Sequence, residues 1–239
     1  MNPKINHKTT FIDLGLIDYS AAWKYQTELF ERILEVKKQN RDLADQEQAS
    51  TSNYLIFCEH PHVFTLGKSG EEKNLLLPKD KLESIGATYH HINRGGDITY
   101  HGPGQIVVYP VIDLVNFFTD IHKYMRLLEE AVIQTLSEYG IESGRIKGLT
   151  GVWIDHNNQE TCRKIAALGV KTSRWVTLHG MAFNVNTNLD YFKYIVPCGI
   201  DDKAVTSMEK ELGNSQDLAR IKSILLKKIS SIFEMEIVN

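Results

Sequence analysis

The sequence predicts a single α/β domain with a small helical part at its C-terminal end. Three amphipathic segments alternate with short apolar runs rich in β-branched residues, which is the pattern of helices packed on a sheet. With 239 residues, 42% of them hydrophobic, the chain is long enough to bury a large core. We place the main domain at residues 1–213 and a C-terminal helix and tail, packed on the same domain, at residues 214–239.

The helices are predicted from apolar residues that recur every three or four positions. Ser20 is a candidate N-cap for a first helix that ends near residue 38. Thr119 or Asp120 is a candidate N-cap for a second helix, which Gly140 would terminate. Ser215 is a candidate N-cap for the last long helix.

The strands are predicted from short apolar or β-branched runs. These runs are residues 53–58, 63–66, 106–109, 151–154, 164–171 and 176–185. The polar stretch 37–52 lacks periodicity and is either an extension of the first helix or an exposed connection, with no assigned function. Residues 236–239 are expected to form a short tail.

Charge and composition disfavour several classes of partner. The chain has 27 basic and 30 acidic residues, and a net charge of -3 gives no overall positive field for nucleic acid or an anionic membrane. No window approaches the roughly 18 apolar residues of a membrane span, and the first residues lack the apolar segment of a signal peptide. We expect a cytoplasmic, monomeric protein with neither a nucleic-acid nor a membrane partner.

Residues 94–105 are the most informative stretch of the chain. They place four glycines beside Arg94, His101 and Gln105 within twelve positions, directly before the apolar run 106–109. Glycine lets a ligand approach the backbone closely, so clustered glycines beside a buried strand indicate a binding site.

Simpler interpretations of the glycines fail on spacing. A dinucleotide fingerprint starting at Gly102 would require glycine at Val107, and a P-loop ending at Gly67 would require glycine at His62. An RNA-binding Arg-Gly-Gly segment normally occurs as disordered repeats, whereas this one occurs once among strand-like residues.

The three cysteines fit neither a disulfide framework nor a zinc site of the CxxC kind. Cys58 ends an apolar run and is expected to be buried, whereas Cys162 is expected in an exposed turn. Cys198 lies between a proline and a glycine, outside any periodic element, which suits presentation of a thiol at a pocket.

A nucleophilic cysteine needs a cation or a base nearby, because a thiol with a pKa of about 8.5 is mostly protonated at neutral pH. Lys164, His101 and His179 are candidates, although each also has a purely structural interpretation. A metal site built from His101 and four other histidines is disfavoured, because they lack a standard ligand spacing with a carboxylate: the four are His60, His62, His90 and His91.

Taken together, these segments resemble the lipoyl(octanoyl) transferase family. The resemblance spans roughly residues 11–210 and departs from the family in the polar stretch 37–52 and at the C-terminal end. The motifs that carry it are RGGDITYHGPGQ at 94–105 with Tyr109, EHPHVFTLG at 59–67, KIAALGV at 164–170, HGMAFNV at 179–185 and PCGI at 197–200.

The resemblance implies a fold and a reaction. The fold would be a mixed β-sheet flanked by helices, related to the biotin and lipoate protein ligases and to the class II aminoacyl-tRNA synthetase core. The reaction would move an octanoyl or lipoyl group from acyl carrier protein to a lysine of lipoyl domains, namely those of 2-oxoacid dehydrogenase E2 subunits and the glycine cleavage H protein. Because a thioester donor is already activated, we expect no cofactor, neither ATP nor a metal.

The resemblance also implies roles for residues. Cys198 would be the acyl-thioester nucleophile and Lys164 its partner, while His101 would donate a hydrogen bond to the thioester carbonyl. The substrate-binding residues would be Arg94, Gly95, Gly96, Asp97, Ile98, Thr99, Tyr100, His101, Ala167, Leu168, Gly169, Gly180, Met181 and Ala182, with support from His60, Gln105 and His179. Small residues at 167–169 and 180–182 would leave room for an alkyl chain.

Two other functions remain open. An ATP-dependent lipoate or biotin protein ligase on the same fold would activate a free acid and would need no nucleophilic thiol. A non-catalytic module that binds acyl carrier protein would shield the acyl chain without transferring it.

Overall fold

The structure is a computed structural model that describes residues 5–44, 46–196 and 204–238. In that part of the chain the helices are α1 (Tyr19–Gln39), α2 (Ile121–Ser137), α3 (Met208–Leu212) and α4 (Leu218–Phe233). The strands are β1 (Lys8–Leu16), β2 (Asn53–Glu59), β3 (Val63–Leu66), β4 (Thr88–His91), β5 (Ile98–His101), β6 (Gln105–Val111), β7 (Gly144–Ile146), β8 (Leu149–Ile154), β9 (Arg163–Ser173), β10 (Val176–Asn184), β11 (Ala204–Val205) and β12 (Glu236–Val238).

The strands form a large mixed sheet and a small one. The large sheet has the order β12-β1-β2-β6-β10-β9-β8-β7, with β11 paired to the beginning of β9. β1 runs parallel to β12 and to β2, whereas β6, β10, β9 and β8 follow one another antiparallel. The small sheet has the order β4-β3-β5. The expected mixed sheet flanked by helices is therefore confirmed.

The central strands are buried on both faces, which explains their unbroken apolar runs. In β2, Phe57 packs toward α2 and α4, whereas the neighbouring Ile56 packs toward Phe30 and Ile33 of α1. The same alternation along β6 turns Val107 toward α1. Each fully buried side chain of this size contributes about 1.5–3 kcal/mol, so this two-sided core dominates the stability of the sheet.

Helices α1 and α4 begin at carboxylates rather than at the serines expected from the sequence. Asp18 caps α1 by accepting the N–H of Ala21, and Asp217 in the same way caps α4. The predictions of Ser20 and Ser215 as N-caps were wrong. A carboxylate that precedes the first turn accepts from its exposed N–H groups instead, which stabilises the helix by about 1 kcal/mol. Asp120 caps α2 as expected.

The end of α2 differs slightly from expectation, whereas the end of α1 agrees with it. α2 stops at Ser137, and Gly140 takes a left-handed conformation with φ +70° in the turn that follows. The polar stretch extends α1 only to Gln39 and then becomes mainly an exposed connection.

The expected C-terminal tail is a strand. β12 pairs parallel with β1, with Lys8 opposite Glu236. Neither strand was predicted, because their pairing joins opposite ends of the sequence and leaves no local pattern. α4 packs against α2 in the same hydrophobic cluster as the sheet.

Candidate active site

A cavity of about 550 Å³ lies between the large sheet and the arginine–glycine loop, residues 94–97. β9, β10 and β6 supply its floor, and β5 of the small sheet supplies part of its wall. Most of the residues expected at the site line this one cavity: they are Arg94, Gly95, Gly96, Asp97, Ile98, Thr99, His101, Gln105, Lys164, Ala167, Leu168, Gly169, His179, Gly180, Met181 and Ala182.

Two of the expected site residues, Tyr100 and His60, do not line the cavity. Cys198 lies outside the described residues. Tyr100 points into the core of the small sheet, with its hydroxyl 2.7 Å from Nδ1 of His62, because successive side chains of a strand face opposite sides. His60 lies one layer behind the wall, where its Nε2 is 2.8 Å from the hydroxyl of Tyr109.

The cysteines that the structure describes are both buried. Cys58 is buried as expected, and burial raises the pKa of its thiol well above the ordinary value. The expectation of an exposed Cys162 was wrong: only 3% of this residue is exposed. Its turn folds back on itself, with the N–H of Cys162 donating to the carbonyl of Asn158. Neither thiol lines the cavity.

The arginine–glycine loop lies directly on β9. The N–H of Gly95 donates to the carbonyl of Val170 at 3.0 Å, and a Cβ at Gly169 would lie 2.7 Å from the carbonyl oxygen of Gly95. Glycine at 169 therefore makes room for the loop. At Gly180 a Cβ would collide with the carbonyl of Val108 on β6. The idea that these two glycines leave room for an alkyl chain was wrong, because they admit neighbouring backbone instead.

Arg94 is a buried cation in the cavity wall, with 8% of the residue exposed. One guanidinium nitrogen, Nη2, donates to the carbonyl oxygen of Thr65 at 2.7 Å and to its hydroxyl at 3.1 Å, while Nη1 donates to the carbonyl of Gly95 at 3.0 Å. These bonds hold the charge at a fixed place, where it favours a ligand group that carries or develops negative charge.

His101 is neutral, and its tautomer follows from its neighbours. The amide of Gln105 donates through Nε2 to the carbonyl of Tyr100, so its Oε1 faces Nδ1 of His101 at 2.8 Å. Nδ1 must carry the proton, which leaves Nε2 as an acceptor. Burial, the largest cause, lowers the pKa of His101 to about 3. A neutral ring in this tautomer has no proton on Nε2, so the geometry does not support the expected donation from His101 to a thioester carbonyl.

His179 has an unusual backbone for a strand residue. Its φ of +64° is in the left-handed region, which costs a non-glycine residue about 1–3 kcal/mol. Its N–H donates to Oε1 of Gln26 on α1, and its Nε2 lies 2.9 Å from Oδ1 of Asn93. Burial first, and then the charge of Arg94, lower the pKa of His179 to about 3, so the ring is neutral.

Lys164 lies at the other end of the cavity floor. Its Nζ is 4.7 Å from the centroid of the Trp153 ring, within the range of a cation–π interaction. β11 pairs with the same part of β9, with Val205 opposite Lys164, and the N–H of Thr206 donates to the carbonyl of Lys164. Val205 also lines the cavity. The first residues described after Cys198 therefore lie next to Lys164.

Several lining residues were missed from the sequence. Tyr19 begins α1, while Ile121 and Met125 lie in the first turns of α2. Val107 and Tyr109 could have been found from strand alternation, since they share one face of β6.

Residues 5–44, 46–196 and 204–238 offer neither a metal-ligand cluster nor a membrane-spanning helix. They contain no cluster of three or more His, Cys, Asp or Glu side chains able to hold a metal ion. No helix in these ranges is long and apolar enough to cross a bilayer.

A largely apolar cavity with a few fixed polar groups, set at one face of a sheet, is typical of the binding site of a small-molecule enzyme. The chain belongs to the family defined by the lipoyl protein ligase A/B catalytic domain, whose model matches residues 18–230. This confirms the resemblance seen in the sequence, and the chain is an enzyme of the acyltransferase class.

Individual relatives are similar over nearly the whole chain. An octanoyltransferase of Cytophaga hutchinsonii is 57% identical over 239 residues, covering 100% of this chain and 98% of the relative. An octanoyltransferase of Flavobacterium johnsoniae is 56% identical, covering 98% and 100%. Among solved structures, a bipartite lipoate protein ligase from Thermoplasma acidophilum superposes with a TM-score of 0.66 at 17% identity, covering 97% of this chain and 88% of that one. That last similarity shows the fold alone.

Proposed function

We propose that this chain transfers an octanoyl group through a thioester on Cys198, with Lys164 as the partner of the thiol. Octanoyl transfer in protein lipoylation is the activity of the chain, in line with its relatives. The donor is the phosphopantetheine thioester of acyl carrier protein. The acceptor is a lysine ε-amine of a lipoyl domain, as in 2-oxoacid dehydrogenase E2 subunits and the glycine cleavage H protein.

One observation carries the proposal. Lys164 and Val205 line the same cavity as the arginine–glycine loop, and β11 follows Cys198 in the chain by only six residues. A thiol delivered by that segment would meet both a cation and an apolar cavity. An ammonium beside a thiol stabilises the thiolate, which is the nucleophilic form.

The reaction would proceed in two steps, acylation of Cys198 and transfer of the acyl group to the acceptor amine. The Cys198 thiolate attacks the carbonyl carbon of the donor thioester, the carbon–sulfur bond to phosphopantetheine breaks, and the leaving thiolate takes up the proton of the Lys164 ammonium, which leaves Lys164 neutral. The acceptor amine then attacks the Cys198 thioester, giving up its proton to neutral Lys164 as the amide forms and the thiolate returns. The fixed guanidinium of Arg94 would add a positive charge to the wall of the cavity that receives the acyl group.

The acyl chain would lie along the floor of the cavity. Ala167 and Ala182 face each other across β9 and β10, and the next pair, Leu168 and Met181, also lines the cavity and adds apolar surface. Burial of each methylene contributes about 0.8 kcal/mol, so seven carbons beyond the carbonyl would give substantial binding energy.

Intact-mass measurement tests the proposal directly. The protein is incubated with octanoyl-acyl carrier protein without ATP, and we expect an octanoyl adduct that hydroxylamine removes. Cys198→Ser should lose this labile adduct. Cys162→Ser, a cysteine change away from the cavity, is the matched control and should keep it. A hydroxylamine-labile adduct that persists in Cys198→Ser would contradict the assignment of the nucleophile.

Lys164 needs a separate experiment. Lys164→Ala should lower the transfer rate and change the dependence of rate on pH, because the thiol loses the cation that stabilises its ionised form. An unchanged pH profile would remove the lysine from the mechanism. If acyl transfer required ATP and free octanoate, the ligase reaction would replace the proposed one.

A further inference from the structure

A connecting segment, residues 67–76, lies between the arginine–glycine loop and the chain that precedes the proposed nucleophile. Its first half contacts the loop, where the N–H of Lys68 donates to the carbonyl of Arg94 at 2.9 Å. A Cβ at Gly67 would collide with the carbonyl of Gly96, so glycine at 67 lets the two backbones touch. This half of the segment therefore holds the loop from the side away from β9.

The other half of the segment pairs with the last described residues before Cys198. Leu75 and Ile195 form an isolated antiparallel bridge. Beside this bridge, the N–H of Val196 donates to the carbonyl of Asn74 at 2.8 Å. Val196 precedes Cys198 by two positions, so this pairing fixes the backbone that leads directly to the proposed nucleophile.

Asn74 joins the two contacts through its side chain. Its Nδ2 donates to Oδ2 of Asp97 in the arginine–glycine loop at 2.6 Å, and only 8% of Asn74 is exposed. The other carboxylate oxygen of Asp97, Oδ1, accepts the N–H of Ile98 at 2.6 Å, so the carboxylate is held from both sides. Asn74 thus bonds to the loop with its amide and to Val196 with its carbonyl.

The chain on both sides of Cys198 reaches the cavity. Phe192 precedes Cys198 by six residues, Val205 follows it by seven, and both line the cavity that also contains Lys164. We propose that Asn74 is a positioning residue, which holds the segment leading to Cys198 against the arginine–glycine loop and so sets the place of the thiol relative to Lys164. This inference rests on the proposed function.

An exchange of the two side chains tests the bond itself. Asn74→Asp removes the donor and places a second carboxylate against Asp97, so we expect the acylation rate of Cys198 at saturating octanoyl-acyl carrier protein to fall at least about tenfold. Adding Asp97→Asn to this variant restores one donor and one acceptor in reversed order, and the double variant should regain most of the lost rate. Asn74→Ala removes the bond without adding charge, and its rate should fall between those of Asn74→Asp and the unmodified enzyme.

Tyr191→Phe is the matched control. The hydroxyl of Tyr191 donates to the carbonyl of Ile85 at 2.8 Å, so this change removes a bond from the same part of the chain that does not involve the loop. Its acylation rate should stay close to that of the unmodified enzyme. The inference would be overturned by a double variant no faster than Asn74→Asp, by an unchanged rate in Asn74→Ala, or by an equal loss in Tyr191→Phe. If Asn74→Asp does not fold, Asn74→Ala and the double variant decide.

Amide hydrogen exchange gives a readout that does not depend on the covalent step. Because Asn74 contacts both the arginine–glycine loop and residues 194–196, Asn74→Ala should speed exchange in both segments, whereas Tyr191→Phe should leave exchange in the loop unchanged. Faster exchange in only one segment of Asn74→Ala would contradict the coupling. Absence of an octanoyl adduct on Cys198 of the unmodified enzyme would instead refute the proposed function, and the exchange data would still decide whether Asn74 holds the two segments together.

Discussion

Gly169→Ala tests whether the arginine–glycine loop is positioned by direct contact with β9. The added Cβ would lie 2.7 Å from the carbonyl oxygen of Gly95 and 3.1 Å from Cδ of Arg94. Ordinary contact begins at 3.4 Å, so the loop must move by about 0.7 Å, and the bond from Gly95 to Val170 must lengthen or break. Overpacking of this kind costs about 1–3 kcal/mol, which for a chain of this size is about 2–12 °C in Tm.

The effect on catalysis should exceed the effect on stability. Displacement of a positioning group by about 1 Å can lower a rate about a hundredfold, so we expect octanoyl transfer by Gly169→Ala to fall at least tenfold at temperatures where the protein stays folded. Calorimetry gives Tm, and transfer from octanoyl-acyl carrier protein gives the rate. Gly95→Ala is the graded control, since its Cβ would meet only the carbonyl of Val170, at 3.2 Å. If Gly169→Ala retained both stability and rate, or if Gly95→Ala were the more damaging change, the contact argument would be refuted.

Three further predictions concern polar groups around the cavity. Arg94→Lys should lower kcat/KM about tenfold or more, because one ammonium cannot reproduce the bonds of Nη2 to Thr65 and of Nη1 to Gly95 and also face the ligand; a rate within twofold of the original would contradict this. His101 has a lowered pKa when folded, so the unfolded chain binds its proton first as the pH falls below the ordinary value of 6.5. Its contribution to the free energy of unfolding is full above that pH and should decline by about 1.4 kcal/mol per pH unit below it. In urea titrations His101→Asn should remove this part of the slope and keep the part due to His179, whose pKa is also lowered. Glu211→Gln should lower Tm by roughly 2–4 °C, because it weakens charge-assisted bonds that include the 2.5 Å contact from Thr206; an unchanged Tm would exclude a stabilising role.

Local periodicity accounts for the parts of the fold that were predicted well. The amphipathic helices and the strands β2, β9 and β10 bury side chains at regular intervals, so their pattern is visible within about twenty residues. β1 and β12 were missed because a parallel pair at the edge of the sheet depends on contacts between residues more than two hundred positions apart. Cys162 was misplaced for a similar reason: a polar turn seen in isolation does not reveal the core onto which it folds.

The sequence predicted which residues form the candidate site, but not the contacts that hold these residues in place. The motif 94–105 and the segments around Lys164 and His179 do meet at one cavity. The structural roles of some of these residues differ from those expected: glycine at 169 makes room for the arginine–glycine loop rather than for a ligand. The close approach of two backbone segments and the tautomer of a histidine both depend on contacts between residues distant in sequence. They cannot be predicted from the amino-acid sequence by local patterns.

A series of buried hydrogen bonds connects the glycine-rich motif to Lys164. His101 donates to Gln105, whose amide donates to Oδ1 of Asn184 at 2.9 Å; Asn184 in turn donates to the carbonyl of Thr206 at 3.0 Å. The N–H of Thr206 donates to the carbonyl of Lys164. In this series of hydrogen bonds, each donor is fixed either by a carbonyl acceptor or by the bond before it. Reversing one bond would leave a buried polar group unsatisfied, at a cost of about 1–3 kcal/mol, so no single bond can be rearranged alone. The motif thereby fixes the acyl-pocket wall relative to the lysine and to the strand that follows Cys198, which gives a buried, neutral histidine a positioning role without any proton transfer.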